Sequence, residues 1–284
     1  MFAIIGPTAS GKSALGLKLA KKLNYEILSL DSLSIYKQID IASAKPSKEE
    51  LNEVKHYGIN EIYPNQKFDV LKFIEIYKKI PHRNLIIVGG SSFYLKALIE
   101  GISQMPEISE EIKKEAKKLN YRFLERIDPA FASNISCNDT YRIQKGIEIY
   151  LATNTPPSLY FQQNPKKPIL PKLKIYEIAV DRTKLRERII KRTDKMFKEG
   201  LIDEAAFLER RYKDRRLSSL KAIGIKEVLD YFNGRYDLKT LKEKIVTNTA
   251  RLAKRQQTFN KTQFPDKISA PLEKLEEIIL KTQA

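Results

Sequence analysis

Residues 1–13 read MFAIIGPTASGKS. Gly6, Pro7, Thr8, Ala9, Ser10, Gly11, Lys12 and Ser13 satisfy every fixed position of the pattern G-x-x-x-x-G-K-[ST]. Phe2–Ile5, just before it, is a short apolar run of the kind a buried strand needs, and from Ser13 onward Leu15, Leu19 and Leu23 recur at helical spacing. The pattern therefore sits between a strand and a helix start, which a chance glycine-rich turn would not require. In such a loop backbone N–H groups and the positive helix end cradle phosphate oxygens. Lys12 adds a point charge, and Ser13 offers a hydroxyl to a metal bound to the phosphates. Which phosphate compound sits there is not encoded in the pattern.

The chain has 284 residues, enough for one large domain or a core with a smaller one. Lys and Arg outnumber Asp and Glu by 52 to 35, a net charge of +17. Composition leaves two explanations open: a lysine-rich proteome, or a polyanionic partner such as nucleic acid. Cys137 is the only cysteine, which excludes a disulfide framework and a zinc cluster. No stretch has the length of a membrane span and the apolar start is too short for a signal peptide, so a cytoplasmic protein is expected.

Along the chain, residues 25–30 read as a second strand ending at Asp31. Ligands of open α/β sheets bind at the carboxyl ends of strands. If strands one and two are neighbours, the Asp31 carboxylate faces the phosphate compound; the alternative is a helix cap. Residues 32–46 are loop-like and stop at Pro46. A short helix over 49–55 and a strand over 57–63 are expected next. His56 and His82 show no metal-ligand spacing and read as structural or surface residues. Residues 68–79 are amphipathic. Residues 84–90 form a buried strand, followed by Gly89-Gly90-Ser91-Ser92 where many phosphate-loop ATPases carry an acid for Mg²⁺. The glycines would let the chain approach a ligand closely. A helix over 93–99 ends near Gly101.

Residues 105–167 are polar, basic and helix-rich, with Asn138-Asp139 capping a helix whose Ile143, Ile147, Tyr150 and Leu151 share a face. The proline-bearing stretch 154–171 reads as an extended return, and 173–180 as a strand rejoining the sheet. A long basic helix over 183–211, divided at Gly200, follows Asp181-Arg182, and one of Arg182, Arg186, Arg188 and Arg192 is expected to line the site. Gly224 falls inside a helical pattern over 218–231. In a last strong helix, 241–261, Leu241, Ile245, Leu252 and Phe259 make one stripe, with Arg251 and Arg255 beside it. Residues 267–279 give an edge strand and a helix. The expected fold is α/β: a parallel sheet core built on the phosphate loop (residues 1–104 and 168–284) with a helical insertion at 105–167.

The segments GPTASGKS (6–13), DSLSIYKQIDIASAKP (31–46), VGGSSFYLKAL (88–98), NDTYRIQKGIE (138–148), LKAIGIKE (220–227) and RLAKRQ (251–256) together resemble the bacterial tRNA dimethylallyltransferases, nearly end to end. The resemblance implies transfer of a dimethylallyl group from dimethylallyl diphosphate to N6 of the adenosine at tRNA position 37, in tRNAs reading codons that start with U. It implies that the loop Gly6–Ser13 holds the diphosphate, with Mg²⁺ on Ser13. Asp31 would be the general base, with Thr8 and Lys221 assisting. Asp31, Ser32, Leu33, Ser34, Ser91, Lys113, Arg142, Gln144, Lys145, Arg251 and Arg255 would lie against the anticodon stem-loop of the tRNA. No membrane partner and a monomer are expected. The sequence departs from the family at Lys221, where relatives often carry Arg or Gln, and at Thr258-Phe259-Asn260-Lys261, where they have Thr-Trp-Phe-Arg. Three other readings compete: a prenyltransferase of free adenine nucleotides, a small-molecule kinase with ATP in the loop, and a non-catalytic RNA-binding module. The +17 charge and the insertion favour tRNA; the Gly-Gly strand end and residues 31–46 disfavour the kinase.

Overall fold

The computed structural model describes residues 1–81 and 84–283; the expectation for His82 lies outside them. Two compact units emerge, one of residues 1–96 and 172–284, the other of residues 97–171, so the second is wider than the 105–167 stretch read from composition.

In the first unit β1 (Phe2–Ile5), β2 (Glu26–Leu30), β3 (His56–Tyr57), β4 (Leu85–Gly89), β5 (Lys174–Ile178) and β6 (Ile268–Ala270) form a parallel sheet in the order β3-β2-β4-β1-β5-β6. β1 and β4 are buried along their whole length, as apolar runs covered on both faces must be. The helices that cover the sheet and follow it are α1 (Lys12–Leu23), α2 (Lys48–Glu53), α3 (Val70–Lys78), α4 (Ser92–Glu100, which runs on into the second unit), α10 (Arg182–Lys198), α11 (Leu201–Tyr212), α12 (Ile225–Phe232), α13 (Leu238–Gln263) and α14 (Leu272–Gln283). One core lies under α1 and α14, around Leu15, Leu19, Ile86, Tyr176 and Leu275. A second joins the 31–46 loop, through Ile35, Tyr36 and Ile39, to Leu201, Leu208, Val228 and Leu241 of α11–α13.

The strand order corrects one premise. β1 and β2 are not neighbours: β4 pairs with both and lies between them, Ile87 facing Ala3 and Leu28. Asp31 still reaches the loop's side because β4 ends in glycine. A Cβ on Gly89 would sit 2.2 Å from the Leu30 carbonyl oxygen, inside any tolerable contact. Gly89 thus admits the neighbouring backbone, while both it and Gly90 also line the cleft at the carboxyl edge of the sheet. Gly89→Ala is expected to lower stability by about 3 kcal/mol, at the upper end of overpacking costs; a urea melt showing an unshifted midpoint would refute this packing.

Other boundaries move for local reasons. The 57–63 strand shrinks to His56–Tyr57 plus a lone bridge from Tyr36 to Ile62. Gly224 lies not within a helix but just before α12, at φ +99°, where a side chain would be strained. In α13 the fully buried positions are Leu241, Ile245, Ala253 and Asn260, while Leu252 and Phe259 are only half-buried. The helix changes partner along its length: Ala253 packs with Leu185 and Ile189 of α10, and the Asn260 amide donates to Glu177 on β5.

The second unit contains α5 (Glu110–Ala116), α6 (Tyr121–Ile127), α7 (Pro129–Ser133), α8 (Thr140–Thr153) and α9 (Pro157–Gln163) around Ala116, Leu124, Ala132, Ile143 and Ile147. Asp139 caps α8, accepting from Arg142 N. α9 replaces the start of the expected extended return; proline at the first helical position is tolerated because its missing N–H is unpaired there anyway. Buried Asp128 pins α9 by accepting from Ser158 N at 2.6 Å and Ser158 Oγ at 3.0 Å. Among the described residues no helix is long and apolar enough to cross a membrane.

Candidate active site

The phosphate loop leaves β1 and enters α1 through Gly11, at φ +96°, with Ala9 also in the left-handed region. Lys12 is buried, and its Nζ donates to Pro7 O at 3.1 Å. Two arginines of α10 clasp the loop: Arg188 Nη1 donates to Ser10 O at 3.0 Å and Arg192 Nη1 to the Thr8 hydroxyl at 3.2 Å. The Thr8 hydroxyl proton stays available for a phosphate oxygen. From α13, Gln256 Oε1 accepts from Thr8 N at 2.8 Å and Gln256 Nε2 donates to Gly90 O at 3.0 Å.

A cleft of about 660 Å³ opens at the carboxyl edge of the sheet, lined among others by Thr8, Lys12, Ser13, Asp31, Ser32, Leu33, Ser91, Arg192, Lys221 and Gln256. Burial pushes the Lys12 ammonium down to about 8, opposed by the Asp31 carboxylate and reinforced by the Arg192 charge. Burial likewise lowers the Arg192 guanidinium, again opposed by Asp31. Two cations confined with one carboxylate make a site short of negative charge, which an anionic ligand would supply.

Asp31 organises the loop that follows it. Its Oδ1 accepts from Leu33 N at 2.8 Å and Ser34 N at 3.2 Å, an Asx turn that sets the chain's direction at the strand end. Ser91 Oγ accepts from Ser32 N at 3.2 Å, tying the ends of β2 and β4 together. Further on, Glu204 of α11 accepts from the backbone N–H groups of Asp40, Ile41 and Ala42, at 2.7, 2.8 and 2.9 Å. Buried Lys45 donates to Tyr36 O, Asp40 Oδ1 and Asn60 Oδ1, within 2.7 Å in each case. The 31–46 segment is thus an irregular loop pinned at both ends and along its length by side-chain hydrogen bonds.

Of the residues singled out from sequence, the structure gathers Thr8, Lys12 and Ser13 of the phosphate loop with Asp31, Ser32, Leu33, Ser91 and Lys221 at one cleft, while Gly6, Pro7, Ala9, Ser10 and Gly11 do not line it. Ser34 also borders it, but is buried with its hydroxyl 3.1 Å from Ser29 Oγ. Arg251 and Arg255 are exposed and do not line it; Arg251 borders a separate groove between α12 and α13 with Lys226 and Lys244. Lys113, Arg142, half-buried Gln144 and Lys145 belong to the second unit. There Lys113 pairs with Glu110 at 2.6 Å, Arg142 with Asp139, and Lys145 with Glu148 at 2.5 Å. The exposed Lys113 and Arg142 pairs contribute little and are readily exchanged for phosphate, whereas Lys145 is held by the buried Glu148. His56 sits in β3 with Nδ1 2.7 Å from Val54 O.

Of the four candidate arginines, Arg192 borders the cleft and Arg188 contacts the loop from outside it. Glu204, Lys45 and Gln256 were not singled out. Gln256 did carry a signal: it falls about three turns after Ile245, on the apolar stripe of α13, where a polar residue needs a reason.

A parallel sheet with a phosphate loop at its centre, facing a carboxylate and an arginine across a cleft, defines a phosphate-loop protein of the α/β class. Residues 34–263 match the family described as IPP transferase. A Nautilia profundicola protein described as a tRNA dimethylallyltransferase is 79% identical over 99% of both chains, and a Sulfurovum one is 50% identical over 98% of this chain and 96% of the other. The crystal structure of the tRNA isopentenylpyrophosphate transferase of Bacillus halodurans superposes with a TM-score of 0.70, at 29% identity, over 99% of this chain and 95% of that one. The chain belongs to the IPP transferase family.

Proposed function

We propose that this chain transfers the dimethylallyl group of dimethylallyl diphosphate to N6 of an adenosine in tRNA, at position 37 beside the anticodon in tRNAs that read codons starting with U. The observation that carries the reading is the single cleft in which the phosphate loop and Asp31 meet, in a chain 79% identical along its whole length to a protein described as a tRNA dimethylallyltransferase. A monomer acting in the cytoplasm is part of the same proposal.

The chemistry follows from the groups present. Adenine N6 is a weak nucleophile because its lone pair is delocalised into the ring. As its bond to the allylic carbon forms, Asp31 takes the departing proton. The carbon–oxygen bond to diphosphate breaks, and the charge that grows on the leaving group meets Lys12, the N-terminus of α1, the Thr8 hydroxyl and Arg192. Lys221, exposed at the cleft edge, adds a cation without the planar fork an arginine would bring. The exposed Ser13 hydroxyl, at the start of α1, is a hard oxygen donor suited to Mg²⁺, which favours phosphate oxygens and water over an all-protein cage. When bound, the metal would neutralise charge on the diphosphate. The target base must leave its stack to reach a cleft of this depth, with the basic surface of each unit meeting the RNA backbone.

The Lys12 environment predicts a pH signature. In the free protein Lys12 is cationic below about 8 and loses its charge above. Bound diphosphate stabilises the ammonium and raises that value. The kcat/KM for the donor is therefore expected to fall above pH 8 while kcat stays flat, and a Lys12→Arg variant is expected to lose the fall; a kcat/KM flat to pH 10 would contradict it. Substrate class is tested by replacing tRNA with AMP. Product is expected with tRNA alone, and efficient prenylation of AMP would favour the free-nucleotide reading.

A further inference from the structure

We infer that Gln256 restricts the phosphate loop to diphosphates and excludes a third phosphate; this rests on the diphosphate-donor reading above. The Gln256 side chain bridges two elements that in phosphate-loop nucleotidases flank the terminal phosphate: the loop itself, and the end of the neighbouring strand where an acid holds Mg²⁺. Its Oε1 accepts from Thr8 N at 2.8 Å, and its Nε2 donates to Gly90 O at 3.0 Å, just past the end of β4. The bridge has three effects. The Thr8 N–H is used up, so the first half of the loop has one donor fewer to offer a phosphate. The strand end presents a carbonyl already satisfied by the amide, in place of a carboxylate. The amide packs directly on the strand end: a Cβ on Gly90 would lie 2.4 Å from Gln256 Nε2.

Lys12, Ser13 and Arg192 line the same cleft as this bridge. The loop therefore keeps its cations for two phosphates, and the position of a third is taken by a neutral amide already bonded to protein at both ends. A triphosphate could enter only by breaking both hydrogen bonds. Each leaves a polar group unpaired in a part-buried place, which is how a site rejects a ligand it could otherwise attract by charge alone.

Inorganic pyrophosphate and tripolyphosphate, each with Mg²⁺, are the probes. Calorimetry on the wild-type protein is expected to show pyrophosphate bound at least about tenfold more tightly than tripolyphosphate, although the latter carries more charge. In Gln256→Ala and Gln256→Ser that ratio is expected to fall to about one, through a gain in tripolyphosphate affinity. Thermal melts establish that the variants are folded. A wild-type protein that binds tripolyphosphate as tightly as pyrophosphate overturns the inference, whether or not the variants fold, and so do folded variants that keep the wild-type ratio. A wild-type protein that prefers pyrophosphate but transfers no dimethylallyl group supports the role of Gln256 and refutes the donor assignment.

Discussion

Asp31→Asn is expected to lower prenyl transfer by about 10²–10⁴-fold, the range for loss of a positioned general base, with tRNA binding nearly unchanged. Asparagine is the informative substitution because Asp31 has two jobs. Its Oδ1 accepts from Leu33 N and Ser34 N, and so sets the turn that begins the 31–46 loop. An asparagine carbonyl oxygen accepts the same two bonds. The loop, with the Ser32 N–H still on Ser91, keeps its shape, and only the ability to take a proton is removed. Asp31→Ala removes both, and is expected to lose activity together with some stability. Single-turnover rates and filter binding of tRNA separate these effects. Wild-type turnover in the asparagine variant would take Asp31 out of the chemistry and leave it a structural role.

Lys12→Ala is expected to lower kcat/KM for dimethylallyl diphosphate by about 10²–10³-fold, the scale for removing one preorganised group from developing negative charge. The fold is expected to survive, because the buried ammonium is held there against its solvation: burial has already brought its pKa down to about 8. Its hydrogen bond to Pro7 O can be replaced by water in an open cleft. The affinity for tRNA is expected to change little. Should the substitution alter ATP affinity alone and leave the prenyl donor untouched, the loop would be a nucleotide site and the kinase reading would replace this one.

How far these residues could be foreseen depends on whether their signal is local. The phosphate loop is local: pattern, preceding strand and following helix are contiguous, and the structure keeps all three. The buried strand β4 was legible for the same reason, since its burial shows as an unbroken apolar run, whereas the 57–63 strand was drawn too long. Strand order was not. That β4 lies between β1 and β2 is a pairing of segments far apart in the chain, and no single segment states it. The clasp by Arg192 was hidden among four arginines of one helix, because choosing between them needs the phase of α10 against α13. Glu204 reads from sequence as an ordinary acid in the first turn of α11, yet it grips three successive N–H groups of a loop far away in the chain. In each case long-range pairing overrode what a local window could report.

The most direct test is incubation of the protein with radiolabelled dimethylallyl diphosphate, Mg²⁺ and total tRNA, followed by digestion and nucleoside analysis. The account predicts label in N6-(dimethylallyl)adenosine released from the tRNA, with diphosphate as the other product. Unlabelled tRNA, with phosphate transferred instead from ATP to an acceptor hydroxyl, would contradict it.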